Sequence, residues 1–463
     1  MVLIKSISGV RGTIYGGNAP HLCNNEIIKC VTQFAHWLTR EKTPNDITVV
    51  IGRDGRKSGE YIINLIGETL MNIGVCVLNL DLTTTPSVQI AVIHEHCTAG
   101  IMVSASHNPS NWNGLKLLNS KGEFLSKKEG EEVFRFALPS TKKTNCLGSM
   151  RHMDYLAKHI ELVLQLDDID VQSIKERGFK IVVDGINSSG GVYVPYLLNK
   201  IGVNIIDLNC IPDGNFAHNP EPIPENLTDL CEKVKSFRAD LGIAVDPDVD
   251  RLVLVCEDGS FFGEEYTIVA VAKYILSKHP KSTIVSNLST TRAVKDIADE
   301  LGAQHFESAV GEINVVELMK VTKSIIGGEG SGGVIFSPSH YGRDALVGIA
   351  LLLSYLSTSK LSMTDLKSML PSYYMLKEKI HVHSDISFNF KTFINHQITL
   401  CKQKNREYVL TDGIKIYYSC GSWAHIRVSN TEPIVRLIIE SNNEEKTLDI
   451  KNILINEINQ FLQ

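Results

Sequence analysis

No apolar run in this sequence approaches the ~20 residues that a membrane-spanning helix needs. No Cys-x-x-Cys pair occurs among the ten cysteines, which excludes a zinc knuckle or a disulfide framework and points to reduced thiols. The opening residues lack the basic, apolar and small-residue order of a secretory signal, so the expected location is the cytoplasm. There is no long basic stretch, and the net charge is −6, so nucleic acid is not an expected partner. A small anion is not excluded, because a local cluster of Arg and Lys binds it whatever the net charge. Dinucleotide-type Gly-x-Gly-x-x-Gly spacing is missing, and no repeat has a fixed period. What remains is a soluble-type composition of 463 residues, too long for one hydrophobic core.

The elements that are there alternate. Residues 47–51 and 75–80 read as strands, with a helical pattern at 61–73 between them. Residues 99–103 form a further apolar strand. A second strand-helix-strand unit spans 180–208, and a third begins near 266. This order predicts mostly parallel sheets. After Pro371 the pattern changes to strands at 377–382, 413–418, 423–428 and 434–440, with helices at 390–402 and 448–462. That order suggests a small α+β domain. The expected boundaries are 1–152, 153–258, 259–371 and 372–463.

Four stretches carry chemistry. The first, Ser104-Ala105-Ser106-His107-Asn108-Pro109, leaves the strand at 99–103, and residues 110–114 after it read as a turn before Lys116. A serine at a strand end, beside a histidine and before a helix breaker, sits where open α/β sheets place their reactions. The second is Asp246-Pro247-Asp248-Val249-Asp250-Arg251, between two buried strands. Carboxylates at alternate positions of extended chain point to one side, repel one another, and call for a hard cation such as Mg²⁺. A calcium loop is the rival, with Glu257 at the twelfth place. It is rejected, because Arg251 stands where that loop needs glycine and a strand follows instead of a helix. The third stretch, 325–333, is glycine-rich, and its Glu329 and Ser331 suit sugar hydroxyls better than phosphate. The fourth runs from Arg427 to Pro433. A guanidinium fork with the hydroxyls of Ser429 and Thr431, and a loop at Asn430, makes a phosphate clamp without a metal. Near the start, Ser8-Gly9-Val10-Arg11-Gly12 projects an arginine from a tight turn.

Together, and in this order, these motifs resemble those of the α-D-phosphohexomutase family over nearly the whole chain. Its serine loop is Thr-Ala-Ser-His-Asn-Pro, with Ser104 here in place of threonine. Its metal loop is Asp-x-Asp-x-Asp-Arg and its phosphate loop Arg-x-Ser-x-Thr-Glu-Pro, both matched at each fixed position. The resemblance implies three related α/β domains with mixed, mostly parallel sheets, plus a smaller C-terminal α+β domain, around a central cleft. It implies that Ser106 carries a phosphoryl group and joins Asp246, Asp248 and Asp250 in holding Mg²⁺. His107, Lys116, Arg11 and Arg251 would serve the transfer. Glu329, Ser331, Arg427, Ser429, Asn430 and Thr431 would hold a phosphorylated hexose, which passes through a bisphosphate. Two departures stand out: Gly333 and Glu312 each occupy a place where many members have histidine. The metal-loop and glycine-loop sequences look most like bacterial phosphoglucosamine mutases. The expected reaction is therefore glucosamine 6-phosphate to glucosamine 1-phosphate, with phosphomannomutase or phosphoglucomutase activity as the alternative. A Mg²⁺-dependent phosphatase and an inactive sugar-phosphate sensor are more remote readings. Oligomeric state stays open between monomer and homodimer.

Overall fold

The computed structural model describes residues 3–6, 9–14, 21–40, 42–136, 147–381, 389–429 and 434–461. The chain divides into two units. Residues 1–267 with 332–367 form the first, and residues 268–331 with 368–463 the second.

In the first unit, a seven-stranded sheet is built on the apolar run Thr48–Arg53, whose central residues are buried on both faces. Such a strand fits the middle of a sheet with parallel neighbours. It pairs in parallel with Cys76–Leu82 on one side and Ala99–Val103 on the other. Beyond Ala99–Val103 the sheet turns antiparallel, through Trp112–Leu118 and Gly9–Thr13 to Leu3–Ser6. The turn expected at 110–114 is thus shorter: Trp112 already pairs with Thr13. A second sheet orders Leu252–Cys256, Leu241–Val245, Lys180–Asp184 and Asn204–Leu208. Its first pair is antiparallel and the rest parallel. Helix Ala345–Ser359 is apolar on nearly every side and lies buried against this part of the molecule, its first turn capped by Asp344.

In the second unit, Thr283–Asn287 pairs in parallel with Gln304–Ser308 and with Ile326–Glu329. A five-stranded antiparallel sheet follows. Its order is Tyr374–His381, Ile434–Ser441, Trp423–Val428, Ile414–Tyr417 and Tyr408–Val409. Helices Phe390–Gln403 and Glu444–Asn459 cover one face through Phe393, Ile450, Leu454 and Ile458. Helix Ala293–Glu300 is preceded by Arg292 at its N-cap, and the Thr291 hydroxyl accepts from the Ala293 amide at 3.2 Å.

Burial keeps three histidines neutral, lowering His305, His340 and His425 to about 4. At His425 the bonds agree: Nε2 donates to the Asp412 carbonyl at 2.6 Å, so Nδ1 accepts from Ser289 Oγ at 2.8 Å. An unfolded histidine titrates near ~6.5. Between that value and about 4 the unfolded chain binds more protons than the folded one, so these groups make stability fall as pH falls. Denaturant midpoints are expected to drop steadily from about pH 7 to about pH 5. His340→Gln is expected to flatten the slope, and an unchanged slope in that variant would remove His340 from the account.

Candidate active site

The serine loop leaves the C-terminal end of strand Ala99–Val103, and the aspartate loop leaves the C-terminal end of Leu241–Val245. The two ends meet. Ser106 Oγ donates to Asp246 Oδ2 at 2.7 Å across 140 positions of chain. Ser106 is buried and sits in the left-handed backbone region, at φ 49°. That conformation is costly for a non-glycine residue and persists only where its surroundings enforce it.

The enforcing group is Arg56. Its side chain is fully buried, and its guanidinium donates to four carbonyls around the serine loop. Nη2 reaches Ser106 at 2.6 Å and Asn108 at 2.7 Å, while Nη1 reaches Pro109 at 2.6 Å and Trp112 at 3.0 Å. Nε pairs with Asp54 Oδ2 at 3.1 Å, and that same oxygen accepts from Ser104 Oγ at 2.7 Å. Ser104 Oγ in turn accepts from the Ser106 amide at 2.8 Å. Ser104 therefore closes a circuit from Asp54 to Ser106. Between Asp54 and Arg56, the Gly55 amide donates to Ser188 Oγ, which donates to the Pro247 carbonyl in the aspartate loop. In the sequence Arg56 closes a basic loop, Gly52-Arg53-Asp54-Gly55-Arg56, that resembles the family's Gly-Arg-Asp-x-Arg and reads as structural in part; its carbonyl partners leave no mark there.

The aspartate loop is a turn and not extended chain, which corrects the alternation argument. The Val249 amide donates back to the Asp246 carbonyl, and Val249 has φ 62°. The amides of Asp250 and Arg251 both donate to Asp246 Oδ1 at 3.1 Å. Coiling, not pleating, brings one carboxylate oxygen of each aspartate within 4.8 Å of the others, all three residues fully buried. Asp248 Oδ2 accepts from Thr85 and Lys116. Asp250 Oδ2 accepts from Lys116 at 3.1 Å and Arg343 at 2.8 Å. Asp248 Oδ1 and Asp250 Oδ1 are buried with no hydrogen-bond partner. Two carboxylate oxygens without hydrogen bonds beside a third acid are the donor set of a hard divalent cation, so the residues fit a metal.

Charge is distributed unevenly. Burial, with Asp250 and Asp248 alongside, raises the Asp246 carboxyl well above the carboxylate range. Burial would raise Asp250 as well, but Arg343, Lys116 and Arg251 outweigh it and hold it below. Burial works against the charge of Lys116, yet Asp248 and Asp250 lift its pKa above the ordinary lysine value. Arg251 first, then burial and Arg11, push His107 well down, so its imidazole is neutral; Nδ1 lies 3.4 Å from Ser106 Oγ. Arg251 Nε stands 4.0 Å from Asp246 and 3.9 Å from Asp250. Ser106, His107, Lys116, Arg251 and the three aspartates are therefore brought together, with Arg11 close enough to act on His107.

The expected sugar and phosphate residues belong to the second unit. Glu329 is buried, and its Oε1 accepts from Asn287 at 2.8 Å and from the Gly311 amide at 3.1 Å. Asp412 Oδ2 accepts from the neighbouring Val310 amide and stands 2.9 Å from Arg427 Nε. The glutamate and the arginine thus hang on one short relay, and nothing in the sequence marks Asp412 as its middle. Ser331 lies beside this loop in sequence, and the Ser429 amide donates to the Ile434 carbonyl. Glu312 opens helix Glu312–Thr322 and is buried. Asn430 and Thr431 lie outside the described residues.

Four models of the phosphoglucomutase/phosphomannomutase family match in order. Three are its alpha/beta/alpha domains I, II and III, at residues 4–142, 155–259 and 263–374, and the fourth its C-terminal domain, at 398–457. The chain belongs to this family of α-D-phosphohexomutases. A phosphoglucomutase/phosphomannomutase from Thermococcus kodakarensis is 34% identical over 98% of both chains. A phosphoglucosamine/phosphogalactosamine mutase from Sulfurisphaera tokodaii is 26% identical, over 90% of this chain and 91% of that one. A solved structure of a phosphoglucomutase/phosphomannomutase family protein from Burkholderia thailandensis is 25% identical, with a TM-score of 0.83, covering 97% of this chain and 96% of that one. The four-domain α/β phosphohexomutase fold and a mutase, an isomerase acting on sugar phosphates, follow for this chain. A metal cofactor is consistent with its aspartate triad, and no helix among the described residues is long and apolar enough to cross a membrane.

Arg56→Lys tests the enforcing role, since an ammonium cannot span four carbonyls at once. The variant is expected to fold and to lose mutase activity by roughly a hundredfold, the usual cost of a misplaced reacting group. Activity within about threefold of wild type would show that Ser106 keeps its place without the guanidinium fork.

Proposed function

We propose that this phosphohexomutase moves a phosphoryl group between Ser106 and the 1- and 6-oxygens of a hexose. The reading rests above all on the 2.7 Å contact of the Ser106 hydroxyl with Asp246. In the forward half, a sugar hydroxyl attacks the phosphorus on Ser106. A new P–O bond forms to the sugar as the bond to Ser106 Oγ breaks, giving a hexose bisphosphate. In the second half, Ser106 Oγ takes back the other phosphoryl group. Lys116, kept charged by two aspartates, meets the moving negative charge together with Arg251 and Arg11. The proton given up by the sugar hydroxyl passes to Ser106 Oγ as its bond to phosphorus breaks, with the neutral His107 beside that oxygen. Asp246, Asp248 and Asp250 would hold Mg²⁺, which when bound offsets phosphoryl charge. Arg427, Ser429, Asn430 and Thr431 would grip the phosphate that is not reacting, with Glu329 and Ser331 on the sugar ring.

For the sugar, the 34% identical relative from Thermococcus kodakarensis favours glucose and mannose phosphates. The loop sequences Asp-Pro-Asp-Val-Asp-Arg and Gly-Glu-Gly-Ser-Gly-Gly support glucosamine phosphates as the second reading. Steady-state kcat/KM on the 1-phosphates of glucose, mannose and glucosamine decides between them. A glucosamine preference above about tenfold would reverse that order. The transfer itself is tested by intact-protein mass spectrometry after incubation with a hexose 1,6-bisphosphate. Wild type is expected to gain one phosphoryl group, and Ser106→Ala none, with loss of mutase turnover. A labelled, active Ser106→Ala protein would end the proposal. Phosphate release without isomerised sugar would point to a phosphatase instead.

A further inference from the structure

Arg343 lies outside every motif that the sequence singles out, yet its Nη2 donates to Asp250 Oδ2 at 2.8 Å. Lys116 reaches the same oxygen at 3.1 Å, while Asp250 Oδ1 is buried without a hydrogen bond, with Arg251 Nε 3.9 Å away. Two cations on one oxygen fix the carboxylate and leave the other oxygen to face a ligand. The arginine is itself fixed. The Asp344 amide donates to the Val334 carbonyl, and an isolated bridge pairs Ile335 with Arg343, folding residues 333–345 into a hairpin. That hairpin is stitched to the aspartate loop on both sides of Asp250. The Ala345 amide donates to the Val249 carbonyl at 3.2 Å, and the Leu252 amide to the Gly332 carbonyl at 2.9 Å. Behind Arg343, Asp344 caps helix Ala345–Ser359 and is hydrogen-bonded to buried His159 at 2.9 Å.

Arg343 needs room. A Cβ at Gly333 would lie 2.3 Å from Arg343 Cδ and 3.1 Å from its Cγ. The middle of a side chain held at both ends cannot give way by an ångström without moving its guanidinium. Gly333 has no positive φ to explain its glycine, so clearance for Arg343 is the reason left by the geometry. The departure at Gly333 and the arginine ten positions later are two halves of one arrangement.

We propose that Arg343 is a positioning residue for the divalent cation, fixing Asp250 so that Oδ1 is presented as ligand, and that Gly333 exists to admit it. This deepens the mutase reading and rests on its assignment of the aspartates to Mg²⁺.

The test is Mg²⁺ binding by titration calorimetry on the full chain, for wild type, Arg343→Ala, Arg343→Lys, Gly333→Ala and the Arg343→Ala/Gly333→Ala pair. Metal-free thermal unfolding of each variant checks that it folds. Arg343→Ala is expected to weaken Mg²⁺ binding roughly ten- to a hundredfold, as loss of a partner behind a metal ligand does. Arg343→Lys should recover part of it. Gly333→Ala should weaken binding too, and in the double variant it should add nothing further, because the side chain it obstructs is gone. Arg343→Ala binding Mg²⁺ as tightly as wild type would overturn the proposal. So would losses from the two sites that multiply in full. If Arg343→Ala does not fold, Arg343→Lys and Gly333→Ala decide the matter in its place: wild-type affinity in both overturns the proposal, and weakened binding in both upholds it. Wild type that accepts phosphoryl on Ser106 while Arg343 proves indifferent sinks this inference alone. Wild type that neither binds Mg²⁺ nor accepts phosphoryl sinks the mutase reading with it.

Discussion

Three carboxylates packed into a dry site repel one another, and the first unit is built around that repulsion. Water cannot relieve it, since Asp246, Asp248 and Asp250 are fully buried. Each remaining means of relief is used. Lys116 and Arg343 bring positive charge to fixed oxygens, and Arg251 stands about 4 Å away. Hydrogen bonds from two backbone amides and from Ser106 satisfy Asp246. What these leave over is two oxygens without hydrogen bonds, and a divalent cation answers both. The same concentration of charge suits the proposed transfer, in which a doubly charged group would move past a cation.

Holding Ser106 against such a cluster is a second problem, because the two loops come from different sheets. The loop 54–56 solves it from one place. Arg56 bolts the serine loop through four carbonyls, and Gly55 ties to the aspartate loop through Ser188 and Pro247. Thr85, at the start of helix Thr85–His94, adds a second tie to Asp248, by its amide and by its hydroxyl. The left-handed backbone at Ser106 is held by these contacts. The serine and aspartate loops both leave C-terminal strand ends, the usual place for ligands in open α/β sheets.

How much of this the sequence discloses follows from what leaves a periodic trace. The strands ending at Val103 and Val245 are apolar runs between polar loops, and they are legible. Helix Thr85–His94 is not, because it is buried on almost all sides and has no polar face to set a period. Strand Trp112–Leu118 hides behind Asn111, Asn113 and Gly114, residues that otherwise signal a turn. The aspartate triplet points to the right chemistry by a wrong geometry: spacing of two suggests a pleat, while Val249 coils the chain into a turn. Arg343 and Asp412 escape notice for one reason. Their partners are amides or residues far along the chain, and a lone sequence shows neither of these.

In the second unit the same logic works at lower charge. Glu329 accepts from Gly311, the neighbouring Val310 amide donates to Asp412, and Asp412 faces Arg427. Glu329 and Arg427, the acid proposed to meet sugar hydroxyls and the arginine proposed to meet phosphate, are thereby set at a fixed spacing. The Arg427–Asp412 pair is close but not aligned as a hydrogen bond, since Arg427 Nε is a buried donor without a satisfied partner. An arginine so held keeps its charge and orientation without committing that donor to the protein. On the proposed reading, a phosphate would meet a fork already in place and lose little to reorganisation. On the proposed mechanism this would matter twice in each turnover, because the proposed clamp would release one end of the sugar and grip the other. A pair that is near yet imperfect suits that exchange better than one fully satisfied in the absence of ligand.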